Sequence, residues 1–180
     1  MYATKAVEAP IPPDLLDLFA MRDGRVCWQP VNTVRSRNAK RAPWGEPAGG
    51  KPVIGRGALI TVSGYTLLTA DVAFALEHAG DWAWQIDRSI VPSLPPEHDL
   101  DQWRATIRER FAMDHETVVW RVNRGFTAER APRYAAGSPV MGLRLSGFRG
   151  SIVTTSSVGI LLTDVRAVLE TGLFPFEEWG

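Results

Sequence analysis

One cysteine among 180 residues removes two classes of protein at once. Cys27 alone can build neither a disulfide framework nor a cysteine-rich zinc site, and its Val-Cys-Trp setting reads as a buried, inert thiol. Histidine is nearly as scarce, with His78, His98 and His115 as the whole supply. No apolar run approaches the roughly 20 residues that a membrane span needs, and the first residues lack a basic-then-apolar leader, so a cytoplasmic protein with no membrane partner is expected. Net charge is also lacking, since 20 basic side chains balance 20 acidic ones. Glycine-rich residues 45–57 lack the Gly-Lys-Ser/Thr ending of a phosphate loop. Ser151, Thr154, Thr155, Ser156 and Ser157 cluster without a histidine nearby and read as strand and turn residues rather than nucleophiles.

What is present is repetition. Phe19-Ala20-Met21 recurs as Phe111-Ala112-Met113 and Val26-Cys27-Trp28 as Val118-Val119-Trp120, both 92 residues later. Arg41-Ala42-Pro43 returns as Arg130-Ala131-Pro132, Leu67-Leu68-Thr69 as Leu161-Leu162-Thr163, and Leu76-Glu77 as Leu169-Glu170. Ordered identities at a nearly constant offset indicate two copies of one unit of roughly 70 residues. The expected organisation is a flexible arm at 1–13, a first lobe at 14–88, a proline-rich linker at 89–98 and a second lobe at 99–180.

Local pattern gives each unit the same plan. Pro13 opens a short helix with Leu15, Leu16, Leu18 and Phe19 on its apolar face, and Asp23-Gly24 marks a turn before a strand over 25–31. Residues 58–62 and 65–68 read as strands joined at Ser63-Gly64, and 71–79 as a helix. In the second unit, Asp99 caps a helix through Arg110, strands are expected at 117–122, 140–145, 151–155 and 159–162, and a last helix runs to Thr171. Asp71 and Asp164 read as matched helix caps, Trp28 and Trp120 as core residues, and Phe174-Pro175-Phe176 as a tail packed back on its lobe. The predicted class is α+β, as two repeated helix, antiparallel sheet, helix lobes in a pseudo-twofold relation.

Charge is segregated despite the zero balance. Residues 22–57 carry eight basic side chains against two acids, and residues 121–149 carry six against Glu129 alone. A basic face on each unit is the electrostatic footprint of a nucleic-acid partner. The candidate contacts are Arg35, Arg37, Lys40, Arg41, Trp44, Lys51 and Arg56 in the first unit. In the second they are Arg121, Arg124, Arg130, Arg133, Arg144 and Arg149.

The order from Phe19 to Trp82 is a Phe and Gly spaced before Trp28, a basic loop, Ala48-Gly49, a strand, Gly64-Tyr65, a strand, an amphipathic helix and Gly80-Asp81-Trp82. It resembles the N-terminal DNA-binding part of phage HNH homing endonucleases, itself similar to plant ethylene-response-factor domains. That resemblance implies a three-stranded sheet laid on DNA with a helix behind it. Trp28 and Trp120 would take the first-strand tryptophan. The family's helix opens with His-Arg, where this chain has Ala70-Asp71 and Thr163-Asp164. Its nuclease histidines would follow an Ile-Asp-His stretch, where this chain has Ile86-Asp87-Arg88. A non-catalytic duplex-DNA-binding protein of phage or mobile-element type, with no metal or other cofactor, is therefore the expectation. The alternative is an inhibitor or adaptor that binds a host protein.

Overall fold

A computed structural model describes residues 11–29, 45–126 and 132–177, with backbone alone at 125, 126, 132 and 133. The element that joins the two parts of the chain is a six-stranded sheet. Its strands are β3 (Pro52–Val53), β4 (Gly57–Val62), β5 (Tyr65–Leu68), β10 (Leu143–Arg144), β11 (Ser151–Thr155) and β12 (Val158–Leu161), in the order β10-β11-β12-β3-β4-β5. All neighbours are antiparallel except β12 and β3, which pair in parallel through Gly159 and Val53. Just beyond β10, Ser146 meets β5, its N–H donating to the Thr66 carbonyl (2.9 Å) and its Oγ accepting from the Thr66 N–H (3.2 Å). The two edges of the sheet thus come together.

The fold is mixed α+β, as expected, but the two expected lobes share their main sheet. The reason lies in strand supply. Each part of the chain offers one good hairpin here, β4-β5 or β11-β12, and an isolated two-stranded hairpin is marginal in water. Short bridging segments, β3 and residues 145–146, sew the hairpins into one sheet.

Side-chain alternation along these strands, with its period of two, sorts adjacent residues into different cores. Leu67 belongs to a first cluster with Phe19, Val26, Ile60, Val72 and Trp82, while its neighbour Leu68 belongs to a third. Val153 and Ile160 join a second cluster with Ile107, Phe111, Trp120, Val165 and Phe174, while Ile152 and Leu161 join the third. That third cluster, completed by Val53 and Leu145, draws on both parts of the chain.

The helices cover the outer faces. α1 (Thr69–Glu77) follows β5, α4 (Leu162–Thr171) follows β12, and α2 (Ala83–Ile86) is a single turn carrying Trp84. α3 (Leu100–Arg110) is capped by Asp99, whose Oδ1 accepts from the Asp101 and Gln102 N–H groups, as its sequence position indicated. Asp71 and Asp164 cap nothing. The N-cap positions of α1 and α4 are Leu68 and Leu161, neither with a side-chain cap.

Two hairpins flank the sheet. β1 (Phe19–Arg22) pairs with β2 (Arg25–Trp28), and β6 (Phe111–Asp114) with β7 (Thr117–Trp120), in matching registers that place Phe19 opposite Trp28 and Phe111 opposite Trp120. Phe19 therefore opens a strand instead of closing the preceding helix, which is a 3-10 helix over Pro13–Leu18. The backbone bonds around the hairpins recur 92 residues on. Trp28 N–H donates to Glu46 and Trp120 N–H to Ser138, while Ala48 N–H donates to Val26 and Val140 N–H to Val118. The basic loop expected over 123–136 contains one further hairpin, β8 (Arg124–Phe126) with β9 (Pro132–Tyr134).

Candidate nucleic-acid interface

The thirteen basic and aromatic candidates separate into three groups. Arg35, Arg37, Lys40, Arg41, Trp44 and Arg130 lie outside the described residues, and Arg133 is described only by its place on β9. Lys51, Arg121 and Arg144 are exposed and Arg124 is half-buried. Arg56 and Arg149 are 2% and 4% exposed and cannot reach a phosphate in this structure. Their expected role as contacts is corrected here, because each is consumed by a buried carboxylate from the other part of the chain.

The two burials share one design. Arg56 donates Nε to Asp164 Oδ2 (2.9 Å) and Nη2 to Oδ1 (2.8 Å), a bidentate pair. Arg149 donates Nε to Asp71 Oδ1 and Oδ2 (2.9 and 3.1 Å). Beside Arg56, Gly55 adopts φ +67 and leaves no room for a Cβ beneath the Phe176 ring. Beside Arg149, Gly147 adopts φ +73 and lies in the same way beneath Trp84. The guanidinium of Arg56 stands 5.4 Å from the Phe176 centroid and that of Arg149 stands 5.2 Å from Trp84. Each ring stacks on a buried partner, Phe174 or Trp82. Two tails thus reach across, each clasping a glycine-arginine turn of the opposite part.

The clasps differ in satisfaction. Arg56 Nη1 also donates to the Val91 and Pro92 carbonyls (2.8 Å each), which ties the proline-rich linker into the site. Arg149 Nη2 stands 2.9 Å from Asp71 Oδ1, close enough for attraction but misaligned, so it has no hydrogen-bond acceptor. Burial raises the Asp71 carboxyl to about 6 despite the lowering by Arg149 and Arg56, and burial likewise raises Asp164 against the pull of Arg56.

Arg121 and Arg124 lie where α3, β7 and β8 meet, beside Arg110. Arg121 donates its N–H to the Arg110 carbonyl and Nη1 to the Arg108 carbonyl (2.8 and 2.6 Å), adding a cation at the negative end of α3. Arg124 lies 5.4 Å over the Trp120 ring and donates Nη1 to Thr155 Oγ1 (2.7 Å). Burial and then the neighbouring charge of Arg110 make Arg124 a weaker base than an ordinary guanidinium. Among the described residues, Arg110, Arg121 and Arg124 form no ion pair. On the sheet, Lys51 donates to Thr154 Oγ1 (3.1 Å), which sets a cation beside β11.

Tyr134 completes the cluster. It is 39% exposed and stacks on Trp120 with centroids 5.4 Å apart and an interplanar angle of 24°. Composition and charge counts passed over it, along with Arg110. The available signal was the spacing of Tyr134 behind Pro132 in a basic segment that also follows Trp120.

No family model, no curated protein and no solved structure matches the chain. Its chemistry is therefore read from its own side chains. Among the described residues no three His, Cys, Asp or Glu side chains converge as a metal site would require. His115 Nε2 lies 3.8 Å from Asp114 on an exposed turn, and the His98 ring stands nearly perpendicular to that of Trp103. No helix among the described residues is long and apolar enough to cross a membrane.

Proposed function

We propose that this protein binds duplex DNA without cleaving it, through arginines of a duplicated, pseudo-twofold scaffold whose other matched arginines hold it together. The observation that carries the reading is the set of Arg110, Arg121 and Arg124, neighbours in the fold and without an ion pair among the described residues. Holding like charges together is unfavourable, and a phosphate backbone relieves it while releasing condensed counterion. The duplication is supported by the hydrogen bonds that recur 92 residues apart and by the reciprocal clasps. Kinship with the DNA-binding part of phage HNH endonucleases, and a cytoplasmic setting, belong to the same reading.

A protein partner is the second reading. It is favoured by Met141, Leu143 and Phe148, which are 77%, 49% and 40% exposed just before, within and after strand β10. Titration of a labelled blunt duplex at increasing salt separates the two. Affinity falling linearly on logarithmic axes supports DNA binding, and absence of binding at low salt leaves the protein-partner reading.

A further inference from the structure

The arginine cluster surrounds a planar feature that a simple phosphate clamp does not need. Trp120 is buried, Tyr134 lies stacked and exposed on it, and Arg124 sits over the same tryptophan. The platform is held in place before any ligand arrives. Asn123 Oδ1 accepts from the Ala136 N–H (2.8 Å), which closes the base of the β8-β9 hairpin, and Gly137 N–H donates to the Trp120 carbonyl (2.7 Å). The corresponding hairpin β1-β2 has Gln29 where the second has Arg121 and Leu18 where the second has Arg110. Arg110 and Arg121 therefore have no basic counterpart in the first part of the chain.

From this juxtaposition we infer that Tyr134, stacked on Trp120 with Arg124 over the same tryptophan, is a stacking site for one unpaired base of a nucleic-acid strand. It serves a duplex end or single-strand junction rather than intact duplex. An exposed aromatic ring offers any base a π-face, while the neighbouring Arg124 guanidinium is placed to pair with a flanking phosphate. Base pairs inside a duplex are already stacked and present only their edges, so such a ring would gain little from blunt DNA. The inference rests on the DNA-binding reading.

The test compares the full chain on a blunt duplex and on the same duplex carrying a three-thymidine overhang at either end polarity. The overhang is expected to tighten binding about tenfold, within the range for stacking one base on an aromatic side chain. Tyr134→Ala should abolish that gain, read as the ratio of overhang to blunt-duplex affinity within each variant, while Tyr134→Phe should keep it. An overhang without effect in the unaltered protein overturns the inference while the DNA-binding reading stands. So does a gain that survives Tyr134→Ala. Failure to bind blunt duplex at low salt removes the DNA-binding reading itself, and a gain confined to the overhang would then assign the site to single strands.

Discussion

Arg56 and Asp164 stand 108 residues apart in sequence, yet their side chains meet at 2.8 and 2.9 Å in a fully buried bidentate pair. Arg149 and Asp71 make the reciprocal connection. Within each part of the chain the arginine precedes the aspartate by 15 residues, but each pairs with the aspartate of the other part. The ion pairs therefore serve cohesion between the parts rather than folding of either one.

Breaking one partner of a buried pair strands a charge, which costs about 3–5 kcal/mol, whereas replacing both by apolar groups is often close to neutral. Arg149→Met and Asp71→Leu should each lower urea-unfolding stability by that amount, and the double variant should lose less than either. Arg56→Met should cost more than Arg149→Met, because it also strips donors from the Val91 and Pro92 carbonyls. Additive losses in the Arg149 and Asp71 cycle would show that the pair does not act as a unit.

Stability should also depend on pH through Asp71. Its carboxyl is raised from 3.8 to about 6 in the folded protein, so the folded state holds this proton more tightly than the unfolded state. The resulting stabilisation is fully present below about 4 and is lost as pH rises through about 6. Denaturant midpoints measured between these values should fall with pH, and Asp71→Asn should flatten that slope. A slope left unchanged by Asp71→Asn would assign the pH response elsewhere.

The glycines of the clasps offer a separate probe. Gly55→Ala and Gly147→Ala each force a Cβ into a left-handed backbone and into the ring of Phe176 or Trp84, with an expected loss of about 2 kcal/mol or more. Gly150 has φ +81 but open space around it, so Gly150→Ala should bear only the backbone part, about 1 kcal/mol. Equal losses at all three positions, read by thermal unfolding, would deny the rings a role.

Much of the secondary structure was legible because alternation and turn residues act locally. Strands β4, β5, β11 and β12 and the Asp99 cap fall within a residue or two of their expected places. Phe19 misled because a run such as Leu-Phe-Ala-Met suits a helix as well as a strand, and only pairing with Trp28 decides between them. The shared sheet left no local trace, since β3 is two residues long and its parallel partner is more than 100 residues away. Arg56 and Arg149 were counted with the surface charges because charge patterning carries no information on burial. The signal that could have separated them was their spacing of 93 residues, shared with Asp71 and Asp164.

In the proposed function the arginines divide their labour, Arg56 and Arg149 holding the protein together and Arg121 and Arg124 contacting DNA. The most direct measurement is the salt dependence of duplex affinity for the unaltered chain and for the Arg121→Gln, Arg124→Gln double variant. Each lost phosphate contact should reduce the logarithmic salt slope by about 0.9, giving a reduction of about 1.8 in a variant that still unfolds cooperatively. A slope identical to that of the unaltered chain, in a folded double variant, would contradict the account.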